Sequence, residues 1–163
     1  EGNDKKINLT RIHMEEDSGK SIHDIDPFNT LVDLNRAGIP LLEIVSEPEI
    51  KNGEEAYSYL SEIRKLVRYL EISDGNMEEG SLRADLNISV RKKGTTKFGT
   101  KVEVKNMNSF RNVQKAIDFE IIRQIDLIES GEEIHQETRT YDARSEQRRG
   151  VKGCRYPRLP LHQ

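Results

Sequence analysis

Residues 82–91, LRADLNISVR, carry the most regular strand pattern in this 163-residue chain. Leucine, alanine, leucine, isoleucine and valine alternate there with arginine, aspartate, asparagine, serine and arginine. A period of two predicts a β-strand with one face in a core and the other face polar. Residues 92–96, KKGTT, predict a turn, and a second alternating run follows over 98–105. The stretch from 82 to 105 therefore predicts a β-hairpin.

Two long helices are predicted, one before this hairpin and one after it. The first begins at Asn52, which forms a capping box with Glu55 three residues later. The second begins at Asn108 or Ser109 and ends at Gly131, a residue type that favours helix C-termini. The apolar stripes are Ala56, Leu60, Ile63, Val67 and Leu70 in the first helix, and Phe110, Val113, Ile117, Ile121, Ile125 and Ile128 in the second.

Short strands complete the pattern. Residues 7–16 predict a strand that ends in acidic residues, and residues 30–35 and 41–46 predict two strands that pair with each other across Ala37-Gly38-Ile39-Pro40. A further short strand is predicted near 137–141. Mixed strands with two long helices, and no regular βα alternation, favour an α+β fold with a largely antiparallel sheet.

Composition excludes several classes of protein. The net charge of −3 argues against a nucleic-acid binder held mainly by phosphate neutralisation, so any RNA contact must be local. A single cysteine, Cys154, excludes an internal disulfide framework and a multi-cysteine zinc site. No apolar stretch approaches the length of a membrane span, so no membrane partner is expected.

Three carboxylates stand out as candidate ligands. Glu43 interrupts LLEIV on the face of Leu41 and Val45, where a carboxylate is costly unless it is paired, binds a cation or faces solvent. Asp85 lies between Arg83 and Asn87 on the polar face of its strand, which suits a cross-strand ion pair or a metal ligand. Of the neighbours Glu15 and Glu16, alternation lets at most one point into a shared cleft.

Cations lie near these carboxylates in the predicted fold. Arg83, Lys105 and Arg111 are candidate phosphate contacts by charge and placement, and carboxylates beside such cations are typical of magnesium-dependent phosphoryl transfer. The chain has no P-loop and no Gly-x-Gly-x-x-Gly phosphate loop, so the residue types alone have low specificity.

Five stretches together resemble one known family. They are RIHMEED at 11–17, VDLNRAGIPLLEIVSEP at 32–48, MEEGSLRAD at 77–85, EVKNMNSFR at 103–111 and IIRQ at 121–124. In this order they resemble the B subunit (GatB/GatE family) of the tRNA-dependent amidotransferases that act on Glu-tRNA(Gln) and Asp-tRNA(Asn). Residues 7–144 are therefore expected to be the central part of the catalytic domain of that protein. The segment 145–163 is expected to depart from the family pattern.

The resemblance implies a fold and a reaction. The fold is a cradle similar to the catalytic domain of glutamine synthetase. The reaction uses ATP and Mg²⁺ to phosphorylate the side-chain carboxylate of the misacylated tRNA, after which ammonia displaces the phosphate. The implied partners are the amidase, or A subunit, the small C subunit and misacylated tRNA. By position in the motifs, the implied metal ligands are Glu16, Glu43 and Asp85.

Two further family ligands, a glutamate and a histidine, are expected upstream of Glu1, so the isolated chain is expected to bind metal poorly and to be inactive. A rival interpretation is a non-catalytic scaffold that binds tRNA or a partner protein, and a third is a ligase of the same fold that acts on a small molecule. A bacterial chain would be cytoplasmic, whereas a eukaryotic one would belong to a mitochondrion or plastid.

Overall fold

The computed structural model describes residues 4–22 and 28–142. In chain order the elements are β1 (Leu9–Glu16), β2 (Lys20–Ile22), β3 (Leu31–Asp33), β4 (Pro40–Ser46), α1 (Gly53–Tyr69), β5 (Leu86–Ile88), β6 (Val102–Lys105), α2 (Phe110–Glu129) and β7 (Thr138–Thr140). Two helices with small antiparallel and mixed sheets confirm the α+β class. The cradle implied by the resemblance stays a prediction.

Some expectations fall outside these ranges. The predicted loop around Asp26 and Pro27, the departure from the family pattern over 145–163, and Cys154 all lie outside the described residues. Within the described residues, no helix combines the length and the apolar character that a membrane crossing needs. The contacts divide the chain into two compact units whose boundary lies between Ile50 and Lys51.

The first unit contains two antiparallel strand pairs, β1 with β4 and β2 with β3. The prediction that residues 30–35 pair with residues 41–46 is therefore wrong. The reason lies in the backbone of Asp17, whose N–H donates to the carbonyl of Ile39 at 2.9 Å and whose carbonyl accepts from Gly38 at 2.8 Å. These bonds continue the β1–β4 ladder beyond its last pair, so the Gly38 turn joins β4 to β1 rather than to β3.

The second unit is built on a three-stranded sheet in the order β5-β6-β7. The predicted hairpin is confirmed, because β5 and β6 pair antiparallel, and β7 adds to β6 in parallel after the α2 crossover. The strand predicted over 82–91 is shorter than expected, so Asp85 lies just before β5 and not in its middle. A turn causes this, since the N–H groups of Ser81 and Leu82 both donate to the carbonyl of Asn76.

Both helices begin and end as their local signals predict. The side chain of Asn52 accepts from the N–H of Glu55 at 2.8 Å, which is the first half of the capping box. Ser109 caps α2 in the same way. At the other end of α2, Gly131 has φ +79°, and its N–H and that of Glu132 donate to carbonyls of the last turn. This arrangement is a Schellman motif, which needs a left-handed residue at that position.

The core lies between α2 and the sheet, with α1 packed on α2. Its fully buried members are Val102 and Val104 of β6 and Val113 and Ala116 of α2. The two helices meet closely at Gly53, where an added Cβ would lie 2.5 Å from the carbonyl oxygen of Gln114. The N–H of Gly53 donates to the carboxylate of Asp118 at 3.0 Å. A side chain at residue 53 would therefore push the helices apart.

The buried face of α2 departs from the predicted apolar stripe. Ile125 and Ile128 are 41% and 40% exposed, whereas Glu120 and Gln124 are fully buried. The amide of Gln124 accepts from the N–H of Val90 and donates to the carbonyl of Ile88, each at 3.1 Å. These two backbone groups lie on the β5 side of the sheet, so a polar residue is needed where the periodicity expects an apolar one.

Glu120 has basic partners on two elements. Its carboxylate accepts from Arg123 of α2 at 2.9 and 2.6 Å and from the Gln124 amide at 2.8 Å. Arg139 of β7, itself buried, approaches a carboxylate oxygen of Glu120 at 3.7 Å. Two arginines therefore compensate a charge that would otherwise be costly to bury.

Replacing Glu120 with alanine should lower the free energy of unfolding by about 3–5 kcal/mol, because it leaves two largely buried guanidinium groups without this carboxylate. Urea unfolding followed by circular dichroism measures the change. The matched control is Glu129→Ala on the exposed end of the same helix, which should change stability by less than about 0.5 kcal/mol. Equal effects of the two substitutions would contradict the role given to Glu120.

Candidate metal and phosphate residues

The β1–β4 pair carries a cluster of ligand-type side chains on one face. His13 lies directly opposite Glu43, and Glu15 lies opposite Leu41. Because the register is regular from Arg11 to Glu16, alternation places Arg11, His13, Glu15 and Glu43 on the same face. Ligand atoms of His13, Glu15 and Glu43 all lie within 4.8 Å of one another. This geometry could hold a metal ion.

Glu16 lies on the opposite face of the same strand pair. It is three residues from His13, an odd step in a strand with a period of two, and its cross-strand neighbour is Pro40. The structure therefore brings Glu15, and not Glu16, beside Glu43. Sequence reasoning missed His13 and Glu15 as members of the cluster, because only the register with β4 shows which acid of the pair faces Glu43.

The cluster is exposed and internally paired. Arg11 donates to the carboxylate of Glu43 at 3.0 Å through Nη2 and at 3.3 Å through Nε. The imidazole of His13 lies 3.4 Å from the carboxylate of Glu15. Of the alternatives for Glu43, the structure has a solvent-facing carboxylate with an arginine partner. Metal binding at Glu43 would compete with that ion pair.

Asp17 closes the end of this strand pair. Its carboxylate accepts from the N–H of Gly19 at 2.9 Å and lies 3.4 Å from the guanidinium of Arg36. The Asp17 side chain is mostly buried, unlike the carboxylates of Glu15 and Glu43. Together with its backbone bonds to Gly38 and Ile39, these contacts give Asp17 a structural role in fixing the turn before β4.

In the second unit, Asp85 and Lys105 lie together. The ammonium of Lys105 is 3.5 Å from the carboxylate of Asp85 and 3.5 Å from that of Glu103. The ion pair that suited Asp85 in the sequence is therefore present. Partial burial lowers the pKa of Lys105, but the charges of Asp85 and Glu103 outweigh it and hold the pKa above its ordinary value.

The backbone fixes Lys105 at the end of the central strand. Its carbonyl accepts from the N–H of Tyr141 at 2.9 Å. The next residue, Asn106, has φ +70°, a left-handed conformation that is uncommon outside glycine. The Asn106 side chain donates to the carbonyl of Tyr141 at 3.3 Å, which supports this conformation. The chain thus turns sharply out of the sheet directly after Lys105.

The other two candidate phosphate contacts are isolated cations. Arg83 precedes β5 and Arg111 lies in the first turn of α2, and both are exposed. Within residues 4–22 and 28–142, neither of them forms an ion pair with a carboxylate. Their charge is thus available to an anion, whereas the charge of Lys105 is already shared by two carboxylates.

Comparison with known proteins decides the family. The family model described as the GatB/GatE catalytic domain matches residues 1–154. The chain belongs to this family. The resemblance seen in the five motifs is thereby confirmed.

The chain is similar to several proteins named as the B subunit of aspartyl/glutamyl-tRNA(Asn/Gln) amidotransferase. It is 59% identical to the one from Brachyspira hyodysenteriae over 91% of this chain and 31% of that protein. It is 57% identical to the one from Chlorobium phaeobacteroides, again over 91% of this chain and 31% of that protein. It is 61% identical to the one from Gloeothece citriformis over 85% of this chain and 29% of that protein. The chain thus spans about three tenths of the length of these relatives.

The Lys105 ion pairs give a measurable titration. Replacing Asp85 with asparagine should lower the pKa of Lys105, because the ammonium form loses one of its two carboxylate neighbours. Carbon-13 NMR of the lysine Cε resonance during an alkaline titration measures the pKa directly. Asp126→Asn, on α2, is the control and should leave the Lys105 titration unchanged. An unchanged pKa in Asp85→Asn would refute the contact.

Proposed function

We propose that this chain is part of the protein that activates the side-chain carboxylate of Glu-tRNA(Gln) or Asp-tRNA(Asn) for amidation. The family match over residues 1–154 is the observation that carries the proposal. The printed name of the relatives supports the same reaction class. The amidase and the small C subunit would be its protein partners, with the amidase supplying the ammonia.

The proposed chemistry follows from the poor reactivity of a carboxylate toward ammonia. A carboxylate oxygen attacks the γ-phosphorus of ATP, and ADP leaves with the electron pair of the broken bond. Ammonia then attacks the carbonyl carbon of the acyl phosphate, inorganic phosphate departs and a proton is released. Phosphate is a far better leaving group than the oxide that direct attack would have to expel. Fixed cations would stabilise the charge that develops during both steps.

The carboxylates on the exposed face of the β1–β4 pair fit a hard divalent cation in part. Mg²⁺ prefers carboxylate oxygens and water, which Glu15, Glu43 and solvent can provide, whereas an imidazole such as His13 suits softer metals better. The family position implies Glu16 as the partner of Glu43 in this role, and Asp85 as a third carboxylate. When bound, Mg²⁺ would offset the negative charge of the ATP phosphates.

The cations of the second unit would act on the phosphates. Arg83 and Arg111 carry exposed charge and are proposed to hold ATP oxygens, because a guanidinium can donate two parallel hydrogen bonds to a phosphate. Lys105 would contribute a third positive charge. Its contacts with Asp85 and Glu103 keep it protonated, so it remains a donor across the neutral pH range.

Glu43→Gln tests the proposal in a complex of the full-length protein with its amidase partner. We expect ATP hydrolysis that depends on Glu-tRNA(Gln) to fall about a hundredfold or more. Glutamine hydrolysis by the amidase partner should be unchanged, because that reaction needs no acyl phosphate. The control is Glu62→Gln, an exposed carboxylate on α1 that pairs only with Lys65 among the described residues.

Two outcomes would reject the proposal. If the unmodified complex shows no ATP hydrolysis that depends on misacylated tRNA, the non-catalytic scaffold becomes the better interpretation. If a small carboxylic acid supports ATP hydrolysis and misacylated tRNA does not compete with it, the substrate is a small molecule.

The choice between Glu15 and Glu16 has its own test. The shared face predicts that Glu15→Gln weakens binding of Mn²⁺, a paramagnetic substitute for Mg²⁺, about tenfold, because an oxygen ligand is lost beside Glu43. Line broadening of the Glu43 resonances during a Mn²⁺ titration measures the affinity. Glu16→Gln is the matched control on the other face. If Glu16→Gln weakens binding and Glu15→Gln does not, the ligand implied by the family position is correct and the face-based assignment is wrong.

A further inference from the structure

A groove of about 460 Å³ lies along α1 and the start of α2, and the proposed activation chemistry does not use it. Two aromatic rings, one hydroxyl and three cations line it: Tyr57, Ser61, Arg64, Lys65, Arg68 and Phe110. All six residues belong to the second unit. The groove therefore combines ring surface and positive charge on neighbouring turns of one helix.

The aromatic part of the groove is ordered by ring contacts. The rings of Tyr57 and Phe110 meet edge to face, with 6.0 Å between their centroids and an interplanar angle of 90°. The guanidinium of Arg64 lies 6.0 Å from the Phe110 centroid. Tyr57 is 43% exposed, so part of its ring remains open to a planar ligand. An exposed ring beside a guanidinium is a surface on which a nucleobase can stack.

The position of Arg64 is restricted by a close backbone approach. Gly75 has φ +64°, and an added Cβ at this position would lie 2.7 Å from Cγ of Arg64. The aliphatic stem of Arg64 thus packs on the bare backbone of Gly75, while its charged end reaches the groove. A side chain held in this way loses less freedom on binding than a free surface arginine.

The groove carries net positive charge in a chain whose net charge is −3. Lys65 pairs with Glu62 at 2.6 Å, but within the described residues neither Arg64 nor Arg68 forms an ion pair with a carboxylate. Asp74 is near enough to feel them: its pKa is lowered, chiefly by the N–H of Asn76 and by the Ser81 side chain, and to a smaller extent by the two arginines. One carboxylate against two arginines leaves an excess of positive charge.

We propose that this groove binds a single-stranded segment of RNA, with a base stacked on Tyr57 and neighbouring phosphates on Arg64 and Arg68. Single strands present unstacked bases together with phosphates, and that combination matches rings interleaved with guanidinium groups. An acidic peptide would use the cations and leave the rings uncovered. The inference rests on the proposed function, in which the substrate is attached to RNA, and it assigns the RNA to a particular surface.

Binding of a fluorescein-labelled oligoadenylate of about eight nucleotides to this 163-residue chain, followed by fluorescence anisotropy, tests the proposal. For a single strand, each phosphate contact contributes about 0.7 to the slope of log affinity against log salt concentration. Combining Arg64→Gln with Arg68→Gln should therefore reduce that slope by about 1.4. The matched control, Lys92→Gln with Lys93→Gln, removes the same charge from a distant turn and should leave the slope unchanged.

Stacking is tested separately from charge. Tyr57→Leu keeps an apolar side chain in the helix and should weaken binding about tenfold without changing the salt slope. Circular dichroism shows whether each variant keeps its helix content. A second measurement needs no variant: the ring resonances of Tyr57 in the unmodified chain should shift when the oligonucleotide is added.

Several results would overturn the proposal. They are absence of oligoadenylate binding, equal loss of slope in the Lys92 and Lys93 control, ring resonances of Tyr57 that do not move, and displacement of the oligoadenylate by an equal concentration of oligoglutamate peptide. The last result would make the groove a site for acidic peptides. The assay contains no ATP, metal or partner protein, so its outcome is independent of the Glu43→Gln experiment.

Discussion

The buried polar side chains of α2 hold the second unit together. Gln124 satisfies the carbonyl of Ile88 and the N–H of Val90 at the edge of the sheet, and Glu120, one turn earlier, engages Arg139 of β7. One helical face thus reaches both outer strands, while Val113 and Ala116 pack on the central strand. Because buried polar groups are costly unless their partners are in place, these contacts restrict how α2 can sit on the sheet.

That restriction determines where the candidate phosphate residues lie. With α2 fixed, β6 is held between β5 and β7, and Lys105 emerges at its end beside Asp85. The first unit follows a separate logic, since the long β1–β4 ladder alone decides which side chains accompany Glu43. In each unit a carboxylate implied as a metal ligand has a basic partner, Arg11 for Glu43 and Lys105 for Asp85. Both carboxylates therefore lie where positive charge is favourable, as a metal-binding role requires.

The candidate site was only partly predictable from the residues. The motifs identified Glu43, Asp85 and Lys105, and the structure pairs the last two as cross-strand charge patterns suggested. His13 and Glu15 escaped notice, because their relation to Glu43 depends on a register between strands about thirty residues apart. The groove on α1 was also invisible, since Tyr57 and Phe110 are distant in sequence and meet only when the two helices pack.

What the sequence determined by itself was local. The capping box at Asn52, the cap at Ser109, the left-handed stop at Gly131 and the hairpin between β5 and β6 all depend on hydrogen bonds or turns within short stretches of chain. Only the tertiary structure decided that β4 pairs with β1, that Glu15 and not Glu16 shares a face with Glu43, and that Gln124 is buried while Ile125 is exposed. The physical reason is that strand partners, register and the buried side of a helix are set by competition among distant segments. Residue periodicity does not encode that competition.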